Sequence, residues 1–187
     1  LGHTKLDNHR EIRTGYPEVV FCQGKTPEQV AEIIRTMDGK DTNILATRAT
    51  MDTYDAVKLA VPVAEYNKLA RTITIRKKEV PLTKTYISVV TAGTSDIPVA
   101  EEAAVTAAIF NNKVEKIFDV GVAGIHRLYS KLDVIRKARV VVVVAGMEGA
   151  LPSIVGGLVD KPVIAVPTSV GYGASFHGLA ALLGMLT

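Results

Sequence analysis

Cysteine occurs once in the 187 residues, at Cys22, and tryptophan does not occur. One thiol cannot build a disulfide framework, so the sequence points to a reducing, cytoplasmic setting. Aromatic residues make up 5% of the chain, too few for base stacking on aromatic platforms to be its main activity. No run reaches the ~18 apolar residues that a membrane-spanning helix needs. The opening stretch, LGHTKLDNHREIRTGYP, is polar and lacks the apolar core of a signal peptide. Several nucleotide and catalytic signatures are also missing. No G-x-G-x-x-G follows a strand, which argues against an ordinary Rossmann dehydrogenase. There is no Walker loop, no zinc-ligand spacing and no G-x-S-x-G elbow.

What is present suits a globular protein that handles a small anion. Hydrophobic residues make up 48% and charged residues 22%, enough for a core and a wet surface. The formal net charge is +3 and the pI about 9.0. The basic residues are scattered, apart from Arg76-Lys77-Lys78. That run is shorter than a nucleic-acid patch and reads as a solvated strand end. Neither a nucleic acid nor a membrane is expected as a partner. The first residue is not Met, and the last residues, LLGMLT, form an uncapped apolar run. Both ends are therefore expected to be truncated.

The chain reads as α/β, with an N-terminal segment (1–17), a small N-terminal α/β domain (18–84) and a larger domain with a parallel sheet (85–187). In the first half, EVVFCQ and TNILATRA read as strands. KTPEQVAEIIRTMDG reads as a helix with Thr26 as N-cap, Pro27 in the first turn and Gly39 as its stop. TMDTYDAVKLA reads as a second helix, and AEYNKLARTITIRK ends as a strand. KEVPLTK punctuates the chain. In the second half, the strands TYISVVTAG, VEKIFDVGV, RVVVVVAG and PVIAVPTS alternate with four helical stretches. Ser95 or Asp96 is expected to cap the first helix, RLYSKLDVIRKA to form one helix, and SFHGLAALLGML to form the last. This alternation implies a parallel sheet covered on both faces. In such folds ligands bind beyond the carboxyl ends of the strands. Ten of the fifteen glycines lie from Gly121 onward, mostly in strand-to-helix loops, where bare backbone can approach a ligand.

Four of those loops can carry chemistry. Gly93-Thr94-Ser95-Asp96 offers backbone N–H groups, hydroxyls and a helix start to a phosphate, with Asp96 able to accept from ribose hydroxyls. Simple capping explains the same residues. Asp119 closes a strand, and His126 and Arg127 follow its glycine-rich loop. Histidine titrates near neutrality and arginine forks onto phosphate or carboxylate. In the third loop Glu148 lies between Gly146-Met147 and Gly149, where a carboxylate can act as general base or position a water or a metal. An ordinary surface charge near a helix start explains it equally. The fourth loop offers Pro167, Thr168 and Ser169, with His177 beyond. In the first half, Lys25 and Arg48 sit at strand-to-helix turns from which they can reach a phosphate or simply face solvent.

Taken in order, Gly93-Thr94-Ser95-Asp96, Gly-Ile-His-Arg, Ala-Gly-Met-Glu-Gly-Ala-Leu-Pro and Val-Pro-Thr-Ser resemble the PurE family of aminoimidazole ribonucleotide carboxylases and mutases. That resemblance covers about Thr85 to Thr187. With GYPEVVF, GKTPEQ and LATRA of the first half, nearly the whole chain resembles the LarB family of nickel-pincer cofactor biosynthesis. One position separates the two. Where the PurE family keeps a catalytic histidine before Leu-Pro, this chain has Ala150, with Glu148 two residues earlier.

The LarB resemblance implies a three-layer PurE-like domain and a reaction. Nicotinic acid adenine dinucleotide is carboxylated on its pyridinium ring by carbon dioxide or bicarbonate. Its phosphoanhydride is then cleaved to give pyridinium-biscarboxylic acid mononucleotide and AMP. NAD is an analogue of the substrate. The implied catalytic residues are Glu148, Asp119 and His126. The implied substrate-binding residues are Gly93, Thr94, Ser95, Asp96, Arg127, Gly146, Met147, Gly149, Pro167, Thr168, Ser169, Arg48 and Lys25. A magnesium ion is plausible, its ligands unassigned, and no bound organic cofactor is expected. The family's nucleophilic cysteine is expected just after Thr187, so Cys22 does not inherit that role. A homo-octamer with sites between subunits is expected. The rival readings are a PurE-type enzyme and a non-catalytic nucleotide-binding module.

Overall fold

A computed structural model describes residues 4–7, 9–78 and 81–187. Residues 1–3 of the polar opening, Asn8, and Glu79 and Val80 of the KEVPLTK stretch lie outside the described residues. The chain divides into two compact units. The first is Leu1–Pro81 with Ile109–Asn111, and the second is Leu82–Ala108 with Asn112–Thr187.

In the first unit a short helix, α1 (Arg10–Thr14), precedes β1 (Val20–Phe21), α2 (Pro27–Asp38), β2 (Ile44–Thr47), α3 (Met51–Ala60), β3 (Glu65–Asn67) and β4 (Thr72–Ile75). The start of α2 follows from its sequence. Thr26 Oγ1 accepts from the Gln29 amide at 3.3 Å, and Gln29 Oε1 accepts from the Thr26 amide at 3.0 Å. This reciprocal capping satisfies two donors that the first turn would leave open. Val30, Ile33, Ile34 and Met37 then fall on one helical face and are buried against Ile44, Ala46, Ile73 and Ile75. The strand order is β1-β2-β4-β3. Strands β1 and β2 are parallel, whereas β4 runs antiparallel to both β2 and β3. The expected single strand in AEYNKLARTITIRK is thus a hairpin. Asn67 makes its turn, its side-chain oxygen accepting from the Leu69 and Ala70 amides, both at 3.0 Å.

The second unit holds β5 (Tyr86–Thr91), α4 (Ile97–Ile109), β6 (Lys113–Ile117), α5 (Ile125–Tyr129), α6 (Leu132–Lys137), β7 (Val140–Ala145), α7 (Ala150–Leu158), β8 (Val163–Pro167) and α8 (Leu179–Met185). All four strands are parallel, in the order β6-β5-β7-β8. The valine run is β7, a central strand. Val141, Val143 and Ala145 pack with Leu128, Ile135, Leu151 and Val155 on one face. Val144 and Val89 pack with Ala100 and Ala104 of α4 on the other. The result is a helix–sheet–helix sandwich, the three-layer α/β arrangement. Both faces of β7 are covered, which is why its sequence is continuous rather than alternating.

Three local expectations are corrected. RLYSKLDVIRKA is not one helix, because α5 ends at Tyr129 and α6 starts at Leu132. The first helix of this half begins not with an α-helical N-cap at Ser95 or Asp96 but with a 3-10 turn, Thr94–Asp96. The last helix starts at Leu179 rather than at Ser175. Residues 173–178 form a tight turn in which Phe176 (φ 44°) and His177 (φ 55°) are left-handed. Among the described residues no helix is long and apolar enough to cross a membrane.

Candidate functional site

Four parallel strands end at one edge of the second sheet, and a cavity of about 360 Å³ lies beyond them. Each strand contributes a loop. Ala92, Gly93, Ser95 and Asp96 follow β5, and Asp119, Gly121 and Arg127 follow β6. Gly146, Met147, Glu148, Ala150 and Leu151 follow β7, and Val170 follows β8. This is the edge at which open parallel sheets take their ligands.

Buried threonines fix the loops. Thr91, fully buried at the end of β5, accepts the Asp119 amide on Oγ1 at 3.0 Å, and its carbonyl accepts the Val120 amide at 3.0 Å. Asp119 is held there at φ 59°, an uncommon conformation for a residue with a side chain. Its carboxylate accepts a hydrogen bond from Arg127 Nη1 at 2.5 Å. Both side chains remain about half exposed, so the pair adds little stability. It does fix the guanidinium at the cavity wall. On the other side, Thr168 is buried and its hydroxyl donates to Asp96 Oδ1 at 2.7 Å, joining the loops after β5 and β8. Asp96 Oδ2 accepts the Gly93 amide at 2.9 Å. Asp96 is itself 3% exposed, so its carboxylate both lines the cavity and ties its loops together.

The β7 loop is pressed against the protein itself. A Cβ on Gly146 would lie 2.2 Å from the Val170 carbonyl oxygen, which also accepts the Met147 amide at 2.8 Å. Gly149 is left-handed (φ 71°), and a Cβ there would lie 2.7 Å from the Ala181 carbonyl oxygen and 3.2 Å from Met185 Cε. These two glycines admit neighbouring backbone and helix α8 rather than a ligand. Met147 follows at φ 54°, and it and Glu148 are exposed at the cavity. Asp119 and Met147 are thus two non-glycine residues held left-handed at one edge, a conformation that costs on the order of 1–3 kcal/mol each unless the surroundings impose it.

The remaining expected residues divide. Ser95 lines the cavity, while Thr94 is exposed beside it. His126 is exposed on α5 next to Arg127 but is not in the cavity wall. Gly149, Pro167, Thr168 and Ser169 shape the loops without lining it. Lys25 and Arg48 belong to the first unit, where Lys25 Nζ donates to the Phe21 carbonyl at 2.6 Å and Arg48 is left-handed at φ 57°. Val122, Ala123 and Val170 line the cavity and were not singled out from sequence, and Gly121 lines it where the glycine pattern pointed. Val122, Ala123 and Val170 are apolar, and their only signal is that they lie in the loops that follow β6 and β8. Cys22 is buried, and burial pushes its thiol up to about 11 against the opposing pull of Lys25. A thiol held protonated is a poor nucleophile.

The donors do not suit a metal held by the protein alone. Asp119 is taken up by Arg127, and Asp96 by Thr168 and Gly93. Among the described residues no three acids, histidines or cysteines gather into a cage.

Residues 1–78 match the LarB/PurE-like N-terminal domain family, and residues 86–187 match the AIR carboxylase family. The chain belongs to the LarB family. Its second unit is the PurE-like part, so it is related to carboxylases. A protein of Methanocaldococcus jannaschii described as uncharacterized is 40% identical over 191 residues, covering 96% of this chain and 73% of that protein. The N5-carboxyaminoimidazole ribonucleotide mutase of the same organism is 38% identical over 100 residues, covering 52% of this chain and 59% of the mutase. The LarB-family chain is thus similar to the mutase over about half its length and to the first relative over almost all of it.

Proposed function

We propose that this LarB-family chain carboxylates the pyridinium ring of nicotinic acid adenine dinucleotide. It then hydrolyses the phosphoanhydride to give pyridinium-biscarboxylic acid mononucleotide and AMP, for a nickel-pincer cofactor. One observation carries the choice of reaction. The cavity wall has Ala150, a methyl group, where the PurE family keeps its acid–base histidine, and Glu148 faces the same cavity. Imidazole carboxylation would lack its proton carrier, whereas pyridinium carboxylation needs a base of a different kind.

The chemistry starts from a ring too electron-poor to attack carbon dioxide. A thiolate adds to a ring carbon, the C–S bond forms, and the electron pair displaced onto nitrogen leaves an enamine. The enamine carbon attacks carbon dioxide. Glu148 takes the proton from the newly carboxylated carbon, the C–S bond breaks, and the aromatic ring returns with the thiolate released. By resemblance to the LarB family, we assign this thiol to a residue that follows Thr187. The packing of Ala181 and Met185 against Gly149 supports this, because it brings the end of α8 to the loop that carries Glu148. Arg127, oriented by Asp119, and Ser95 with the turn that follows Gly93 receive phosphate or ribose oxygens. Water then attacks phosphorus, the bridging P–O bond breaks, and AMP leaves. Thr94, Gly146, Met147, Pro167, Thr168 and Ser169 shape the substrate's seat. Lys25, Arg48 and His126 have no step assigned. The apolar outer residues of α8, Leu179, Leu182 and Leu183, and Leu186 just after it are exposed and support assembly with further copies, as in an octamer.

The test uses a chain that carries the thiol expected after Thr187, mixed with nicotinic acid adenine dinucleotide and labelled bicarbonate. Labelled mononucleotide and AMP in equal amounts are expected. Turnover of aminoimidazole ribonucleotide instead would favour the chemistry of the mutase relative. Tight nucleotide binding with no turnover of either would leave a binding module.

A further inference from the structure

The cavity is small for a dinucleotide. At about 360 Å³ it lies at the low end of small-molecule sites, which run from roughly 300 to 1,000 Å³. Its walls are mostly small or apolar side chains, with three acids and an arginine, a lining for one ribose-phosphate half rather than for two ring systems. The second ring needs a surface outside, and the loop between β8 and α8 offers one. Tyr172 is 80% and Phe176 70% exposed, in a chain with ten aromatic residues in all. Two exposed rings within five residues of one loop offer flat apolar faces that a ligand ring could cover.

Their place is set by contacts with the cavity wall. Val170 is in that wall, and its carbonyl holds the Met147 amide. The next residue, Gly171, lies against Met147, so that a Cβ there would be 3.5 Å from Met147 Cα. That same Cβ would lie 2.7 Å from Ser175 Cβ, and Ser175 is buried. Tyr172 is therefore one residue, a step of ~3.8 Å, beyond a glycine packed on the wall residue Met147, and Phe176 is one residue beyond Ser175, which packs on that same glycine. Met147, which does line the cavity, is also 36% exposed.

We propose that Tyr172 and Phe176 form a stacking rim that receives the second heteroaromatic ring of the substrate, the adenine if the pyridinium lies in the cavity. This rests on the dinucleotide reading of the site. It gives the protein a way to prefer a dinucleotide over a mononucleotide before any bond is broken. Stacking suits an adenine because it needs only a π face, and it adds contact sulfur and ring edges can share.

The absence of tryptophan makes the test direct. In Tyr172→Trp and Phe176→Trp proteins the new indole is the sole tryptophan, and its emission is followed while nicotinic acid adenine dinucleotide, nicotinic acid mononucleotide or AMP is added. Calorimetry on the unsubstituted protein gives the affinities. The dinucleotide is expected to quench the indole, and the mononucleotide is not. The Tyr172→Ala/Phe176→Ala double variant is expected to bind the dinucleotide about ten-fold more weakly with mononucleotide affinity unchanged. Equal weakening of both ligands, or dinucleotide binding with unaltered emission and affinity, overturns the rim and leaves the proposed function standing. A fall in oligomer mass in the double variant with dinucleotide affinity intact assigns the rings to a contact between copies instead. Failure of the unsubstituted protein to bind any of the three ligands sinks the proposed function and the rim with it.

Discussion

Both units carry four-stranded sheets, yet only the second has every strand parallel. The difference decides where loops collect. In the first unit β1 and β2 release their chains at one edge, while β4 runs the other way and is tied to β3 by a tight turn. In the second, four strands release their chains at the same edge, and four loops meet there around a cavity. The two units also spend left-handed backbone differently. Arg48 and Arg71 take it up at turns of the first sheet, whereas Asp119 and Met147 take it up in or beside the cavity wall of the second. A parallel sheet concentrates strain and polar groups in one place, and a mixed sheet disperses them.

The largest expected effect tests whether the second unit's edge is the chemical one. Glu148→Gln should lower turnover about 100-fold or more while nucleotide affinity by calorimetry is retained. Binding lost in step with turnover would make Glu148 an anchor instead. Next comes the core of the first unit. Ile34 is fully buried, so Ile34→Ala should cost about 2–5 kcal/mol. Hydrogen exchange should show the loss in the first unit's amides, and equal loss in both would show that the two units unfold as one. Within the second unit, Gly146→Ala meets the Val170 carbonyl and should cost about 1–3 kcal/mol or more. Gly156→Ala in α7, where a Cβ meets nothing within 4 Å, should be neutral or stabilise by up to about 1 kcal/mol. Chemical denaturation that ranked these two alike would undo the packing account of the glycine loops.

The smallest effect concerns Cys22. Its folded thiol is raised to about 11 from an ordinary 9.0. Below pH 9 both folded and unfolded thiols are neutral. Between 9 and 11 only the unfolded one ionises, so stability falls as pH rises through that window. The melting temperature should drop by a few degrees more there than in Cys22→Ala. Alkylation at neutral pH should be slow until the protein is denatured. Rapid labelling of the folded protein would return Cys22 to the list of nucleophiles.

Much of this was legible in the residues. Thr26, Pro27 and Gln29 announce α2, because a cap and a first-turn proline act within a few positions of each other. The valine run announces β7, because a strand buried on both faces has no reason to alternate. The loops around Gly93, Asp119, Arg127, Gly146 and Glu148 stand out because they follow such strands. Illegible were the break between α5 and α6, the Asn67 turn, and the role of Asp96. The carboxylate of Asp96 is tied to a hydroxyl 72 residues away, at Thr168, and no local pattern carries that information.

By itself, then, the sequence determined the order and type of most elements, the family resemblance and the loops at which a ligand is met. These follow from periodicity, caps and motifs, which are short-range. Only the tertiary structure decided that Asp119 orients Arg127, that His126 lies outside the cavity wall, and that Gly146 and Gly149 are bare for the sake of Val170 and α8. It also decided that Tyr172 and Phe176 are exposed on the loop that follows the wall residue Val170. Each of these depends on which distant backbone passes within a few ångströms, a quantity set by packing rather than by neighbours in the chain.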